Sequence, residues 1–246
     1  MLSPPERIHS GRCGFNFLAM KHPWLLYLFG IDLILDLVAI QYGMSDLRYT
    51  TKPLLMILLG LFAVRQHFTN KKIKSLLLLA IGFSLSGDIF LLFDKSDSPN
   101  FIFGLISFLL AHIFYILLFV QIKRYYFPQR KWNPWIIIAL LLYVVVLIYL
   151  LNPHLGDLKI PVIVYALVLS GMLITAWHAF EFNYHSGGGW IITGAIFFVL
   201  SDSLLAFNKF YAPFEFAGIA IMFTYGIAQL FIAAGITKFI HSADKP

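Results

Sequence analysis

The chain has 246 residues, 60% of them hydrophobic and only 12% charged, with a mean hydropathy of +0.82 and a formal net charge of +6. A soluble domain carries roughly a quarter charged residues, so this composition belongs in a bilayer. The basic residues sit in short loops between apolar runs, where membrane topology accounts for them and no nucleic-acid partner is needed.

Residues 1–23 are polar and mixed, with Pro4 and Pro5, and read as a cytoplasmic tail in which Met20 offers an alternative start. Apolar runs then predict eight spans at 24–41, 53–64, 74–93, 100–122, 133–151, 160–180, 189–208 and 214–238. A hydrocarbon core of ~30 Å needs about 20 residues per span. The second run is short, and would extend back through Lys52 or forward to His67. No small-residue cleavage site follows the first run, which is read as a retained span. Pro53, Pro134, Pro161 and Pro213 fall at or near span starts, where a missing N–H costs least. The expected fold is all-α, one polytopic membrane domain over 24–240, closed by a short cytoplasmic tail at 241–246. Thirteen of the 18 Lys and Arg fall in the tails and the even-numbered loops, against Arg48, Lys52, Lys95, Lys159 and Lys209 on the other side. Both termini are therefore expected in the cytoplasm.

Gly87-Asp88-Ile89-Phe90-Leu91-Leu92-Phe93-Asp94-Lys95 returns 114 residues later as Ser201-Asp202-Ser203-Leu204-Leu205-Ala206-Phe207-Asn208-Lys209. The register continues to Gly104 and Gly218. Four spans fit the offset, so the two copies run in the same direction and suggest tandem four-helix halves. The match is clear over spans 3–4 and 7–8, and Asp32 has no counterpart in the second half.

Each motif buries an aspartate in an apolar run, which costs hydration unless something compensates. Asp88 and Asp202 are accordingly expected to share one site, holding a proton between them, as acid/base cleavage of an ether-type bond requires. The plainer reading pairs each with the Lys two turns on. Asp32 and Asp36 share a face of span 1, and Asp36 is the better site candidate. Lys52 reads as a snorkelling terminal Lys if it stands alone, and as a charge partner or phosphate contact beside the aspartates. His112 is either a proton relay or a structural donor, with Tyr115 one turn on. Tyr225 and Gln229 lie at the corresponding level of span 8, where Gln229 must find partners inside the bundle and orients other groups. Asn208 and Lys209 close the second motif. His178, Glu181 and His185 are expected to be interfacial and solvated. Cys13 stands alone and cannot staple the chain, no Cys/His cluster has zinc spacing, and Gly187-Gly188-Gly189 lacks the Lys-Ser/Thr of a phosphate loop. No metal or cofactor is expected.

Lys52-Pro53, Gly87-Asp88-x-x-Leu91-Leu92, Phe103-Gly104 with Ala111-His112-x-x-Tyr115, Gly194-Ala195-x-Phe197-x-x-x-Ser201-Asp202, and Tyr225-x-x-x-Gln229 follow one another in order. Together they resemble the YhhN family of multispan membrane proteins over about residues 24–240. The resemblance implies an enzyme that hydrolyses the vinyl ether of a lysophospholipid of the lysoplasmalogen class, with Asp88 and Asp202 as catalytic carboxylates. One would act as acid and the other as ionised stabiliser and water base, and Lys52, Lys209 and Lys95 would hold the phosphate. A proton- or cation-coupled transporter uses intramembrane carboxylates equally well, and a lipid-binding scaffold leaves them without a purpose.

Overall fold

The computed structural model describes residues 20–94, 99–129, 131–180 and 187–244. Cys13, Lys95, Glu181 and His185 lie outside them, as do Arg130, Lys245 and residues 1–19. Among the described residues the chain forms eight long helices. These are α1 (Trp24–Gln41), α2 (Ser45–Arg65), α3 (Lys71–Leu92), α4 (Asn100–Tyr126), α5 (Pro134–Leu151), α6 (Lys159–Ala179), α7 (Gly188–Ala206) and α8 (Ala217–Ala243). Every one is long and apolar enough to cross a membrane, and the protein is a multi-pass membrane protein.

The expected spans are all present, and α1 has the expected bounds. The largest departure is α2, which starts at Ser45, where the hydropathy reading put its start at residue 53. Its first two turns carry Asp46, Arg48, Thr51 and Lys52, which read as loop by hydropathy. They are helical because Arg48, Thr51 and Lys52 turn inward onto carboxylates of the bundle. Pro53 consequently lies inside the helix, where it leaves the Tyr49 carbonyl without its usual N–H donor. Pro134 does stand at a helix start, with Asn133 capping the Trp135 N–H.

The repeat shows in the packing, since α3 lies along α4 and α7 lies along α8, the two most extensive helix pairs. Gly194 lets the backbones of α7 and α8 meet, because a Cβ there would stand 2.9 Å from the Ala228 carbonyl oxygen. Phe29, Phe62, Phe119, Phe198 and Phe239 fill the interior. α5 sits at the edge and buries only Val144 and Leu151, turning Trp135, Leu142, Val145 and Tyr149 toward the surface that lipid would cover. α7 runs on into a π-helical turn, Phe207–Tyr211.

His178 is not solvated as expected. It is buried, with Nδ1 against the Ile174 carbonyl at 2.6 Å and Nε2 accepting from the Asn133 N–H at 2.7 Å. Trp132 stacks on the ring, with centroids 4.5 Å apart. The imidazole thereby anchors the start of α5 to the end of α6 instead of facing water.

Candidate active site

Asp88 lies near the end of α3 and is 1% exposed. Lys52 of α2 places Nζ 3.5 Å from its Oδ1, and Tyr225 of α8 donates to its Oδ2 at 2.7 Å. A buried carboxylate is stable as an ion only with such partners. Lys52, itself buried, is thus an internal charge partner and not a snorkelling terminus. From Tyr225 the polar contacts continue inward: Gln229 Nε2 reaches the Tyr225 hydroxyl at 3.4 Å and Ser84 Oγ at 2.9 Å. Gln229 Oε1 accepts from the Tyr115 hydroxyl at 2.7 Å. The Gln229 amide thus finds its partners inside the bundle, in Tyr115, Tyr225 and Ser84.

Asp202 of α7 has a different environment. Tyr165 of α6 donates to its Oδ2 at 2.5 Å, and His112 Nε2 lies 3.7 Å from the same oxygen. Both contacts fall on Oδ2. Asp202 also forms part of the wall of a cavity of ≈ 40 Å³ that is otherwise apolar apart from Tyr165, with Leu91, Phe101, Phe108 and Phe210 among its lining. By this measure a water needs roughly 10–15 Å³, so the space admits a few waters or a short stretch of a chain. The rest of a long chain would have to run out between the helices.

The cavity beside Asp202 is not shared with Asp88. Asp88 is absent from the cavity wall, and aromatic rings separate the two environments. Phe198 touches both His112, at 4.6 Å between centroids, and Tyr225, at 5.6 Å. Phe108 packs against Tyr225 at 5.8 Å and also lines the cavity. The glycine before Asp88 makes this possible, since a Cβ on Gly87 would stand 2.6 Å from the Phe108 ring.

The two halves supply equivalent but chemically unequal partners. Each aspartate is met by the fourth helix of the other half, Asp88 by Tyr225 of α8 and Asp202 by His112 of α4. Each is also met by the second helix of its own half. There, α2 offers the Lys52 ammonium and α6 the Tyr165 phenol. Subtracting the 114-residue offset places Tyr165 on Thr51, next to Lys52. Asp88 has a cation beside it, and Asp202 has only neutral donors and an imidazole.

Asp36 is fully buried behind Asp88, accepting from the Thr51 hydroxyl at 2.6 Å with Arg48 Nε at 3.7 Å. It holds the first turns of α2, and hence Lys52, in place. Asp32 shares its helix face and is also buried. His112 is fully buried, and neither ring nitrogen has a hydrogen-bond partner among the described residues. Lys209 pairs with Asp94 at 2.8 Å. Asn208 accepts from the Phe214 N–H at 3.3 Å, closing the turn before α8, and reaches neither aspartate. The sequence reading did not single out Tyr165 or Thr51, nor the aromatic pair Phe108 and Phe198.

The YhhN family matches residues 47–236. A protein named lysoplasmalogenase from Mycobacterium bovis is 31% identical over 195 residues, covering 78% of this chain and 71% of that one. Lysoplasmalogenase TMEM86B of Homo sapiens is 32% identical over 152 residues, covering 61% of this chain and 58% of its own. Lysoplasmalogenase TMEM86A of Homo sapiens is 32% identical over 158 residues, covering 61% and 60%. No solved structure matches the chain.

Proposed function

From its membership of the YhhN family, to which this chain belongs, and from the unequal surroundings of its two aspartates, we propose that it hydrolyses the vinyl ether of a lysoplasmalogen. Water is added across the O–CH=CH unit, releasing a fatty aldehyde and a glycerophospho-alcohol. The observation that carries the assignment is the position of Asp202, which forms the polar end of an apolar cavity with no cation beside it.

Asp202 is the acid. Its proton passes from Oδ1, the oxygen free of Tyr165 and His112, to the β-carbon of the vinyl ether, leaving an oxocarbenium ion and a carboxylate. Water adds to the cationic carbon and gives its proton back to Asp202. The hemiacetal then breaks its C–O bond with proton transfer to the glycerol oxygen. Using one carboxyl group as acid and then as base parallels retaining glycosidases. Asp88 acts at a distance, as an anion held by Lys52 and Tyr225 whose field favours positive charge in the cavity. His112, beside Oδ2 of Asp202 and otherwise unpartnered, relays protons to that carboxyl group.

The excess of Lys and Arg in the tails and even-numbered loops supports cytoplasmic termini. The cavity, at the other end of the bundle, then faces the outer leaflet. The test is aldehyde release from a lysoplasmalogen by the purified protein in detergent. Release by wild type and at least 10²-fold less by Asp202→Asn, at equal folding, is the expected result. Undiminished release by Asp202→Asn removes it from the mechanism, and substrate uptake into sealed vesicles without cleavage replaces the hydrolase by a transporter.

A further inference from the structure

The ion pair between Lys209 and Asp94 joins the ends of the two repeated motifs, with Nζ 2.8 Å from Oδ2. Lys209 stands on the π-helical turn that follows α7. Its ammonium lies 4.6 Å above the ring of Phe101, and that ring packs edge-on against Phe210 at 5.8 Å. Phe101 and Phe210 both line the Asp202 cavity. The cation is therefore fixed at the cavity's outer rim, and its side chain is 42% exposed.

We infer that this pair is an exchangeable latch, in which the phosphate of a lysophospholipid takes the place of Asp94 on Lys209 and so sets the substrate class of the site. The inference rests on the hydrolase reading above and deepens it.

Three physical points support it. An exposed ion pair contributes little to stability, so opening it is not prohibitive. A phosphodiester carries the same single negative charge as the carboxylate, so it can take over the Lys209 ammonium once the Asp94 side chain turns out to water. The spacing also fits. Lys209 follows Asp202 by seven residues, roughly 10 Å along an α-helix and somewhat less through the π-helical turn. In a 1-alkenyl lysophospholipid, seven bonds separate the phosphorus from the β-carbon to be protonated, roughly 9 Å when extended.

The experiment compares two vinyl ethers that share an alkenyl chain, a lysoplasmalogen and the corresponding 1-alkenylglycerol without phosphate. KM for each is measured by aldehyde release with wild type, Lys209→Gln, Lys209→Arg and Asp94→Asn, each checked for folding by thermal unfolding in detergent. Lys209→Gln is expected to lower the preference for the phospholipid about tenfold, and Asp94→Asn, which frees the ammonium, to raise it. Lys209→Arg keeps the preference. A preference that stays constant in Lys209→Gln and Asp94→Asn, or two KM values that move together, overturns the latch while leaving the hydrolase standing. A wild-type protein that cleaves neither compound overturns both.

Discussion

Tyr115 and Gln229 occupy the same place in the two copies of the repeat, 114 residues apart, and the Tyr115 hydroxyl donates to Gln229 Oε1 at 2.7 Å. The two halves thus meet at their own equivalent positions. Removing the hydroxyl in Tyr115→Phe leaves a buried amide oxygen unsatisfied, which should cost about 1–3 kcal/mol. A double-mutant cycle with Gln229→Leu, followed by unfolding in detergent, should return a coupling of about 0.6–1.7 kcal/mol. Simple additivity would mean that the bond does not tie the halves together.

The pair Lys52 and Asp88 should behave as a unit. Lys52→Met strands a buried carboxylate and should destabilise the protein by about 3–5 kcal/mol. Adding Asp88→Leu should recover most of that loss, while aldehyde release stays at background. Recovery of turnover in the double variant would show that the anion behind the cavity is dispensable.

The aspartates were legible in the sequence because an ionisable group in an apolar run has few bland explanations and the motif occurs twice. The eight spans followed from hydropathy for the same reason. The start of α2 did not, because Arg48, Thr51 and Lys52 are polar by type and become internal only through carboxylates on other helices. Tyr165 was hidden differently. A tyrosine in a span gives no hydropathy signal, and only the 114-residue register, which sets it on Thr51 beside Lys52, points to it. His178 was misread because its two partners, a backbone carbonyl and a backbone N–H, exist only once α5 and α6 are folded together.

His112 provides a test that separates function from folding. Its ring nitrogens have no hydrogen-bond partner among the described residues, so His112→Phe loses no such bond, and its cost should be that of fitting a larger ring, about 1–3 kcal/mol. Turnover should fall at least tenfold, and the pH profile should change shape. A large loss of stability with unchanged turnover per folded molecule would return His112 to a structural role.

Two glycines of α3 make a paired comparison. Gly87→Ala drives a methyl group to 2.6 Å from the Phe108 ring, and such overpacking should cost about 1–3 kcal/mol. Gly82→Ala meets nothing within 4 Å and should be neutral or gain up to about 1 kcal/mol from helix propensity. Thermal unfolding of the two variants side by side checks the difference, and equal effects would mean that the Phe108 ring yields freely.

The rings of Phe108 and Phe198 also stand between two sets of proton-bearing groups. Carboxylates, phenols and an imidazole strung along a membrane interior are the components of a proton wire, and a wire across an energised membrane is a short circuit. Here the Asp88 chain ends at Tyr115 and Ser84, while the Asp202 group opens to its own cavity. No hydrogen bond crosses the rings between Tyr225 and His112 among the described residues. A proton leaving one aspartate would therefore have to cross an aromatic layer before it could reach the other.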